Sequence, residues 1–597
     1  MTKINTMLLV FTLSLLISVL SFGQGVMRGV VTDSVSSNAL VGANIYFMGT
    51  SIGTSTNLEG EYVIKNVPEG DYTVKISYIG YISKETRVTI QSNKSTLLDV
   101  VLVPDVLQGE EVVITGQASG QISAINQQLS SNTIINVVSE EKIQELPDEN
   151  AAETIGRLPG VSLTRSGGEA DKIILRGLGN QYTNVTIDGV RIPSTDSLGR
   201  GIDLSPISQS SLAGIELYKA LTSDKDADAI AGSINLVTKK APSTRQLRLT
   251  LKGGYNDLMK SAKNYDFSLK YGERFFNDLL GLQITGNIEN KIRSNEVNII
   301  GYDQTILNQT SYFINNFILR FTNEVRKRNG LSLILDYDTP DEGNIKFNGT
   351  YYSTNREYIT HQRDYENGGG SNQYLGGVTY RYRDRKQEIE TFSSALTGDN
   401  SFLGFDLNWG LSFAQSKSDY PYDYQLDFSE PSSSGVSGMR GGKPQLKDHP
   451  EKLIPYAYNN FRAASLAGGF YSEQDNLDKN QTVFLNLTRN YILGDLFSGE
   501  IKFGGKYNSK TRTNNQTQNF SPYYLGGWQP YEKLPGGTIQ PKGFSGSYFE
   551  DFYQRYLENP LNNTVSLFEF LDSDPKSRTL YGLYELNPLL NRDKLRQ

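Results

Sequence analysis

Beyond residue 246 the chain reads as a succession of amphipathic strands, and the lengths of the connections between them alternate. Segments 247–255 and 265–271 alternate apolar and polar side chains as strands do, and a short turn at Phe276-Asn277-Asp278 leads to a third, 280–288. A long gap precedes a fourth strand that ends near Tyr337. The short turn 338–343 follows, and strands five and six cover 345–352 and 378–392. Another short turn, Thr397-Gly398-Asp399-Asn400, leads to strand seven, 402–413. Then comes a long gap rich in Gly, Ser, Pro and Tyr, followed by strands eight, 483–491, and nine, 501–507, with a quick turn between them. Short turns follow even strands, and most long gaps follow odd ones. A sandwich of strands has no reason to alternate in this way. An antiparallel barrel standing in a membrane does, because its turns are short on one side and its loops long on the other.

Composition is compatible with that reading. Tyr is abundant at 36 against 2 Trp, Gly stands at 57, and only 37% of residues are hydrophobic. A barrel with alternating lipid-facing and lumen-facing residues has such statistics, and so does an extracellular array of β domains. The absence of cysteine excludes disulfides, thiolate catalysis and Cys-ligated metals. The two histidines, His361 and His449, are far apart and expected in loops, which leaves no His-based metal or proton-relay site. The net charge of −7, with both signs interspersed, carries no clustered basic footprint for nucleic acid. At the start, Lys3, an apolar run from Met7 to Leu20 and then Ser21-Phe22-Gly23 have the form of a secretory signal peptide over 1–23. That run is shorter than the ~18 residues of a spanning helix. A membrane-resident form of the mature protein would therefore need a closed barrel, since only helices and closed barrels satisfy every backbone group in lipid.

Residues 24–104 carry short alternating strands, among them Glu61-Tyr62-Val63-Ile64 and Asp71-Tyr72-Thr73-Val74-Lys75-Ile76, with turns such as Leu58-Glu59-Gly60 and Pro68-Glu69-Gly70. Strands this short with turns this frequent predict a small β-sandwich. The block resembles the carboxypeptidase regulatory-like domain that precedes the plug in many receptors of the Bacteroidetes type. It contains no histidine to hold zinc, and a periplasmic spacer is the expected role.

The linker 105–137 contains Glu110-Glu111-Val112-Val113-Ile114-Thr115-Gly116. Val-Val-Ile-Thr is a strong strand former with no partner nearby, so it can add to another protein's sheet edge. The competing reading is a last strand of the preceding domain. The segment resembles a TonB box, which implies that Glu111, Val112, Val113, Ile114 and Thr115 contact the energy-transducing protein TonB.

Residues 138–240 open with Ser139-Glu140-Glu141, a helix N-cap followed by acids. Asp148 is expected to cap a second helix, 151–157, ended by Pro159-Gly160. Strands are predicted at 172–176, at 184–192 folded on Asp188-Gly189, at 215–219 and at 233–238. The ordered set Leu158-Pro159-Gly160-Val161, Ile174-Leu175-Arg176-Gly177, Val185-Thr186-Ile187-Asp188-Gly189-Val190, Ile215-Glu216-Leu217-Tyr218-Lys219 and Gly232-Ser233-Ile234-Asn235-Leu236-Val237-Thr238-Lys239 resembles the plug domain of TonB-dependent outer-membrane receptors. Between Lys219 and Gly232 the commoner Gly-Pro and Tyr-Gly of that family are missing. The variant at 220–231 resembles a branch rich in carbohydrate receptors. Asp224, Asp226 and Asp228 do not make an EF-hand, because Ala229 and Asn235 stand at its sixth and twelfth positions; a solvated turn is expected.

The resemblance implies a mainly β chain: a small β-sandwich, then an α/β plug inside a transmembrane antiparallel barrel over 241–597. A barrel of this class has about 22 strands, of which roughly nine are legible. The tail from Leu586-Asn587-Pro588 to Arg596-Gln597 reads as loop, so the chain is expected to stop within an outer loop. The implied function is active import of a scarce ligand across the outer membrane, driven by TonB, with the N-terminal domain in the periplasm and no cofactor. An oligosaccharide is expected ahead of an iron chelate. A siderophore or cobalamin receptor, a peptide importer or a ligand-sensing signal transducer is the alternative, and a surface lipoprotein lid is left open. Candidate ligand contacts are the loop aromatics Tyr420, Tyr422, Tyr424, Tyr523, Tyr524, Trp528 and Tyr531, whose rings can stack on sugars or on a flat chelate, and Arg200 and Asp203 in the plug segment 193–205. An enzyme is not expected: two loop histidines offer no Ser-His-Asp arrangement, and no Gly-x-Ser-x-Gly elbow occurs.

Overall fold

A computed structural model describes most of residues 24–105, 134–303, 313–366, 378–430 and 461–521, with shorter pieces from 531 to 596. The first eight strands are β1 (Gln24–Asp33), β2 (Asn44–Phe47), β3 (Gly53–Ser55), β4 (Glu61–Pro68), β5 (Gly70–Ser77), β6 (Lys84–Ile90), β7 (Ser95–Leu97) and β8 (Val100–Leu102). They form two sheets, β4-β1-β7 with β8 also on β1, and β3-β2-β5-β6. Strand alternation sends Met27, Val31, Ile45, Phe47, Val74, Ile76 and Ile90 into one buried core. This is the expected small sandwich.

The next unit mixes strands and short helices: β9 (Ile135–Ser139), α1 (Glu140–Glu145), α2 (Ala151–Ile155), β10 (Val161–Ser166), β11 (Glu169–Leu175), β12 (Thr183–Ile187), β13 (Val190–Arg191), β14 (Gly214–Tyr218) and β15 (Gly232–Val237). Its main sheet runs β13-β12-β15-β14-β9, and only β12 and β15 pair in parallel. Ser139 caps α1 as expected, accepting from the Lys142 backbone N–H at 3.3 Å. The cap of α2 is Asn150 rather than Asp148: its side chain takes the Glu153 N–H at 3.1 Å. Asp148 instead pairs with Arg157 past the helix end. The Asp188-Gly189 hairpin turn has both residues at positive φ, 49° and 80°, as a tight two-residue turn requires. Strand β10, which the sequence does not announce, pairs with β11 in a second hairpin.

The remaining strands make one antiparallel sheet. They are β16 (Gln246–Asn256), β17 (Ser261–Phe275), β18 (Leu280–Ile292), β19 (Asn295–Asp303), β20 (Phe313–Asp338), β21 (Asn344–Glu366), β22 (Val378–Phe402), β23 (Phe405–Ser429), β24 (Ser465–Leu493) and β25 (Phe497–Ser521). Both β18 and β19 pair with β20, so they continue one another and the nine expected strands appear in the expected order. Several run much further than their apolar alternation suggests. β23 extends to Ser429 and β24 begins at Ser465, so the long gap read between 413 and 483 is much shorter. Tyr420, Tyr422 and Tyr424 therefore lie on a strand, not in a loop. His361 is likewise a strand residue, stacked on Phe321 with ring centroids 6.4 Å apart. His449 lies outside the described residues. The far end of β23 still alternates, Tyr422, Tyr424, Leu426 and Phe428 on one face against Asp423, Gln425, Asp427 and Ser429 on the other, but the bulge at 420–423 shifts its phase relative to 405–420.

The two faces of the sheet differ. Leu249, Leu251, Leu331, Leu411, Val483, Leu485, Ile501 and Phe503 are exposed on one, as a lipid-facing band requires. Glu324, Arg326, Arg328, Asp336, Asn348 and Thr350 are buried on the other, against the plug-like unit. No helix among the described residues is long and apolar enough to cross a membrane, which says nothing of a barrel.

Candidate functional site

The hairpin β10–β11 turns at Gly167-Gly168, both at positive φ, and presents Glu169 to the sheet wall. Arg326 and Arg328 stand two residues apart on β20, so their side chains share its inner face. Arg328 grips Glu169 through two bonds of 2.7 Å, and Arg326 adds one of 2.6 Å. Arg293 lies 3.4 Å away. Glu324 takes Arg326 at 2.6 Å and Arg356 at 2.9 Å, and Glu289 takes Arg328 at 2.8 Å. Burial alone would raise the Glu169 carboxyl, but Arg328 first, then Arg293 and Arg326, outweigh it and hold it well below the usual carboxylate range. Every charge in this buried cluster has an opposite partner. Such a cluster contributes little net stability when intact, yet losing one partner is costly. That is the behaviour of a latch.

Three further contacts tie the same unit to the wall. Lys346 Nζ donates to Asp188 Oδ2 at 2.9 Å and to Thr238 Oγ1 at 2.9 Å, and Asn348 adds a 2.6 Å bond to Asp188. Asp336, fully buried, accepts from the Ala241 N–H at 3.0 Å and pairs with Arg274 at 2.7 Å, which anchors the passage into β16. Lys506 of β25 reaches Asp226 at 2.6 Å, and Arg191 pairs with Asp228 at 2.8 Å. Asp226 is thus tethered to the wall, whereas Asp228 pairs within its own unit and stays exposed in the expected turn; Asp224 lies outside the described residues. At the short-turn end, Asn66 of the sandwich donates to Asp406 at 2.8 Å.

Among the described residues, those expected to meet a ligand do not gather at one place. Arg200 is exposed beside Gly199, whose carbonyl, like that of Asp196, accepts from Arg512 of β25. Asp203 is half-buried; its side chain accepts from the Ser205 N–H at 2.9 Å, and it lines a small recess with Ile187, Ile192, Tyr352 and Ile389. Tyr420 is on the inner face, where Arg385 stacks over its ring at 3.7 Å. A bulge at 420–423 reverses the order, so Tyr422 and Tyr424 face outward. Arg592 donates to Tyr422 Oη at 3.1 Å and pairs with outward Asp384, and Tyr424 packs on Tyr471 at 4.7 Å. Glu111, Val112, Val113, Ile114, Thr115, Tyr523, Tyr524 and Trp528 lie outside the described residues, as does the side chain of Tyr531. The sequence reading missed Glu169 and the arginines of β20 and β22. Their signal was available as charges spaced by two, Glu324-x-Arg326-x-Arg328 and Arg381-x-Arg383-x-Arg385, which share one strand face.

Residues 127–233, which include Glu169 and Asp188, match the family described as TonB-dependent Receptor Plug Domain. The chain carries a TonB-dependent receptor plug. Ahead of the plug, residues 27–114 match the CarboxypepD_reg-like domain. TonB-dependent receptor P3 of Formosa agariphila is 29% identical over 226 residues, 36% of this chain and 21% of the relative. TonB-dependent receptor SusC of Bacteroides thetaiotaomicron is 27% identical over 277 residues, 43% and 25%. Vitamin B12 transporter BtuB of Photobacterium profundum is 33% identical over 172 residues, 27% of each. The chain thus spans about a quarter of the length of the curated relatives it matches. Among solved structures, a ferric enterobactin receptor from Pseudomonas aeruginosa shares 12% identity over 61% of this chain and 63% of its own, with a TM-score of 0.31.

Proposed function

We propose that this chain forms the plug and adjoining wall of a TonB-dependent importer in the outer membrane. The observation that carries the reading is the Glu169 latch. A plug held to the polar inner face of an apolar-backed sheet by paired charges is seated firmly, yet its seat can be broken by a directed pull. The strands supply no energy source, so the pull comes from TonB acting on Glu111 to Thr115. The sandwich would stand in the periplasm, because it touches the short-turn end of the strands at Asp406.

An oligosaccharide is the proposed cargo. The plug variant at 220–231 supports it, and so do Tyr358, Thr360 and Gln362 on the inner face of β21, groups that stack on and hydrogen-bond sugars. A lipoprotein lid at the outer face is compatible with this cargo. The experiment is deletion of residues 110–116 in the native protein. Uptake should cease while ligand binding to intact cells persists; undiminished uptake would end the coupling reading. Mass spectrometry of molecules co-purifying with the native complex tests the cargo, and a bound iron chelate or cobalamin would replace the glycan.

A further inference from the structure

At the end of the strands remote from the sandwich, a cavity of about 460 Å³ opens between the tip of the β10–β11 hairpin and the inner faces of β20, β21 and β22. Its wall is cationic. Arg165, Arg320, Arg356, Arg381 and Arg383 line it, against Glu324 as the one acid among its lining residues. Four of these arginines are committed elsewhere. Arg165 pairs with Glu153 at 2.6 Å and Arg356 with Glu324 at 2.9 Å. Arg381 and Arg383 each make two bonds, to Asp427 and Asp423 respectively, at 2.6 to 3.0 Å.

Arg320 differs. Its Nε donates to Gln362 Oε1 at 2.8 Å, and no ion pair to it occurs among the described residues. It is partly buried, attracted by Asp364 and repelled by Arg381 and Arg383. Arg320 on β20 and Arg381 and Arg383 on β22, across the intervening β21, repel one another, and a structure that keeps three guanidinium groups around an open cavity is complementary to an anion. The uncharged lining adds Thr322, Thr360 and Gln425, which bond hydroxyl groups, and the ring of Tyr358.

We propose that this cavity binds an anionic, hydroxyl-rich ligand, an oligosaccharide bearing carboxylate or sulfate groups, with an acidic group seated on Arg320. The inference rests on the import reading, since it places the cavity on the cargo's path. Its test needs no energised membrane, and so it can fail separately from import.

The native protein, purified from outer membranes in detergent, would be titrated calorimetrically with an oligogalacturonate, a sulfated oligosaccharide and a neutral malto-oligosaccharide of matched length. At least one acidic probe should bind about tenfold or more tightly than the neutral one. That preference should shrink on raising salt from about 0.05 to 0.5 M, because partly exposed charges are screened. Arg320→Gln should remove the preference, and Arg320→Lys should keep part of it. Equal binding of neutral and acidic probes, or an acidic preference that survives Arg320→Gln, would overturn the proposal. Should Arg320→Gln fail to fold, the salt dependence of the unaltered protein decides the matter: an acidic preference insensitive to salt would overturn it. Uptake lost in the 110–116 deletion with acidic binding retained would separate this site from the coupling step.

Discussion

Glu169 of the plug and Arg328 of β20 meet through two parallel hydrogen bonds of 2.7 Å, with 1% and 4% of their side chains exposed. Replacing Glu169 with Gln removes the central acid and leaves Arg326 and Arg328 without it in a buried place. Breaking such a pair costs about 3–5 kcal/mol. The plug should therefore release at lower urea concentration, read as the midpoint at which added protease cleaves within 134–240. An unchanged midpoint would show that the cluster does not hold the plug.

The same carboxyl gives a pH signature. Its folded pKa lies below the unfolded value of about 4.3, so its stabilisation is fully present above that value. It is lost as pH falls through the lower folded value. Plug stability of the unaltered protein, followed by amide exchange in β11, should not change through Glu169 between neutral pH and about pH 5, then decline on further acidification. The gap between the unaltered protein and Glu169→Gln should narrow across that acid range. A gap that stayed constant to pH 3 would assign the stabilisation to other groups.

Gly167 and Gly168 separate two effects at the hairpin tip. Both have positive φ, so an alanine at either costs roughly 1–2 kcal/mol in backbone strain. At Gly168 an added Cβ meets nothing within 4 Å, whereas at Gly167 it would sit 3.1 Å from the Arg293 carbonyl and from Arg326 Nη2. Gly167→Ala should therefore destabilise the plug more than Gly168→Ala in the same protease assay. The reverse order would place the hairpin tip differently against the wall.

Lys346 holds the Asp188 turn from the opposite wall. Lys346→Met leaves Asp188 with hydrogen bonds from Asn348 and Thr238 but no cation, at a cost of about 1–3 kcal/mol. Amide exchange should quicken in β12 and β13 and stay unaltered in the sandwich. Uniform acceleration across all three units would argue against a local tether.

Tyr420 and Tyr422 make a paired test of which face the cargo meets. Tyr420→Ala removes an inner-face ring beneath Arg385 and should weaken cargo binding severalfold. Tyr422→Ala removes an outward ring that holds Arg592 and should leave binding unchanged. Equal losses would return both rings to the ligand site.

Much of this arrangement is legible in the amino-acid sequence. Period-two alternation and connections of alternating length announced the nine strands, because each strand's register to lipid and lumen is written locally in its side chains. Ser139 as a cap and Asp188-Gly189 as a turn were readable for the same reason: both act on backbone groups within three residues. Asp148 misled because a carboxylate near a helix start can serve either as a cap or as an ion-pair partner, and Arg157 took it.

The amino-acid sequence by itself determined the order of units, the strand faces and the turns, since these depend on neighbours along the chain. Only the tertiary structure decided which charges meet. Glu169 and Arg328 are separated by 159 positions, and their contact depends on how the plug sits against a wall whose register is set strand by strand. It also decided that Tyr422 and Tyr424 face outward, because a single bulge at 420–423 exchanges the faces of a strand. It decided as well that Arg320 makes no ion pair among the described residues, since charge balance is a property of a packed volume and not of a stretch of chain.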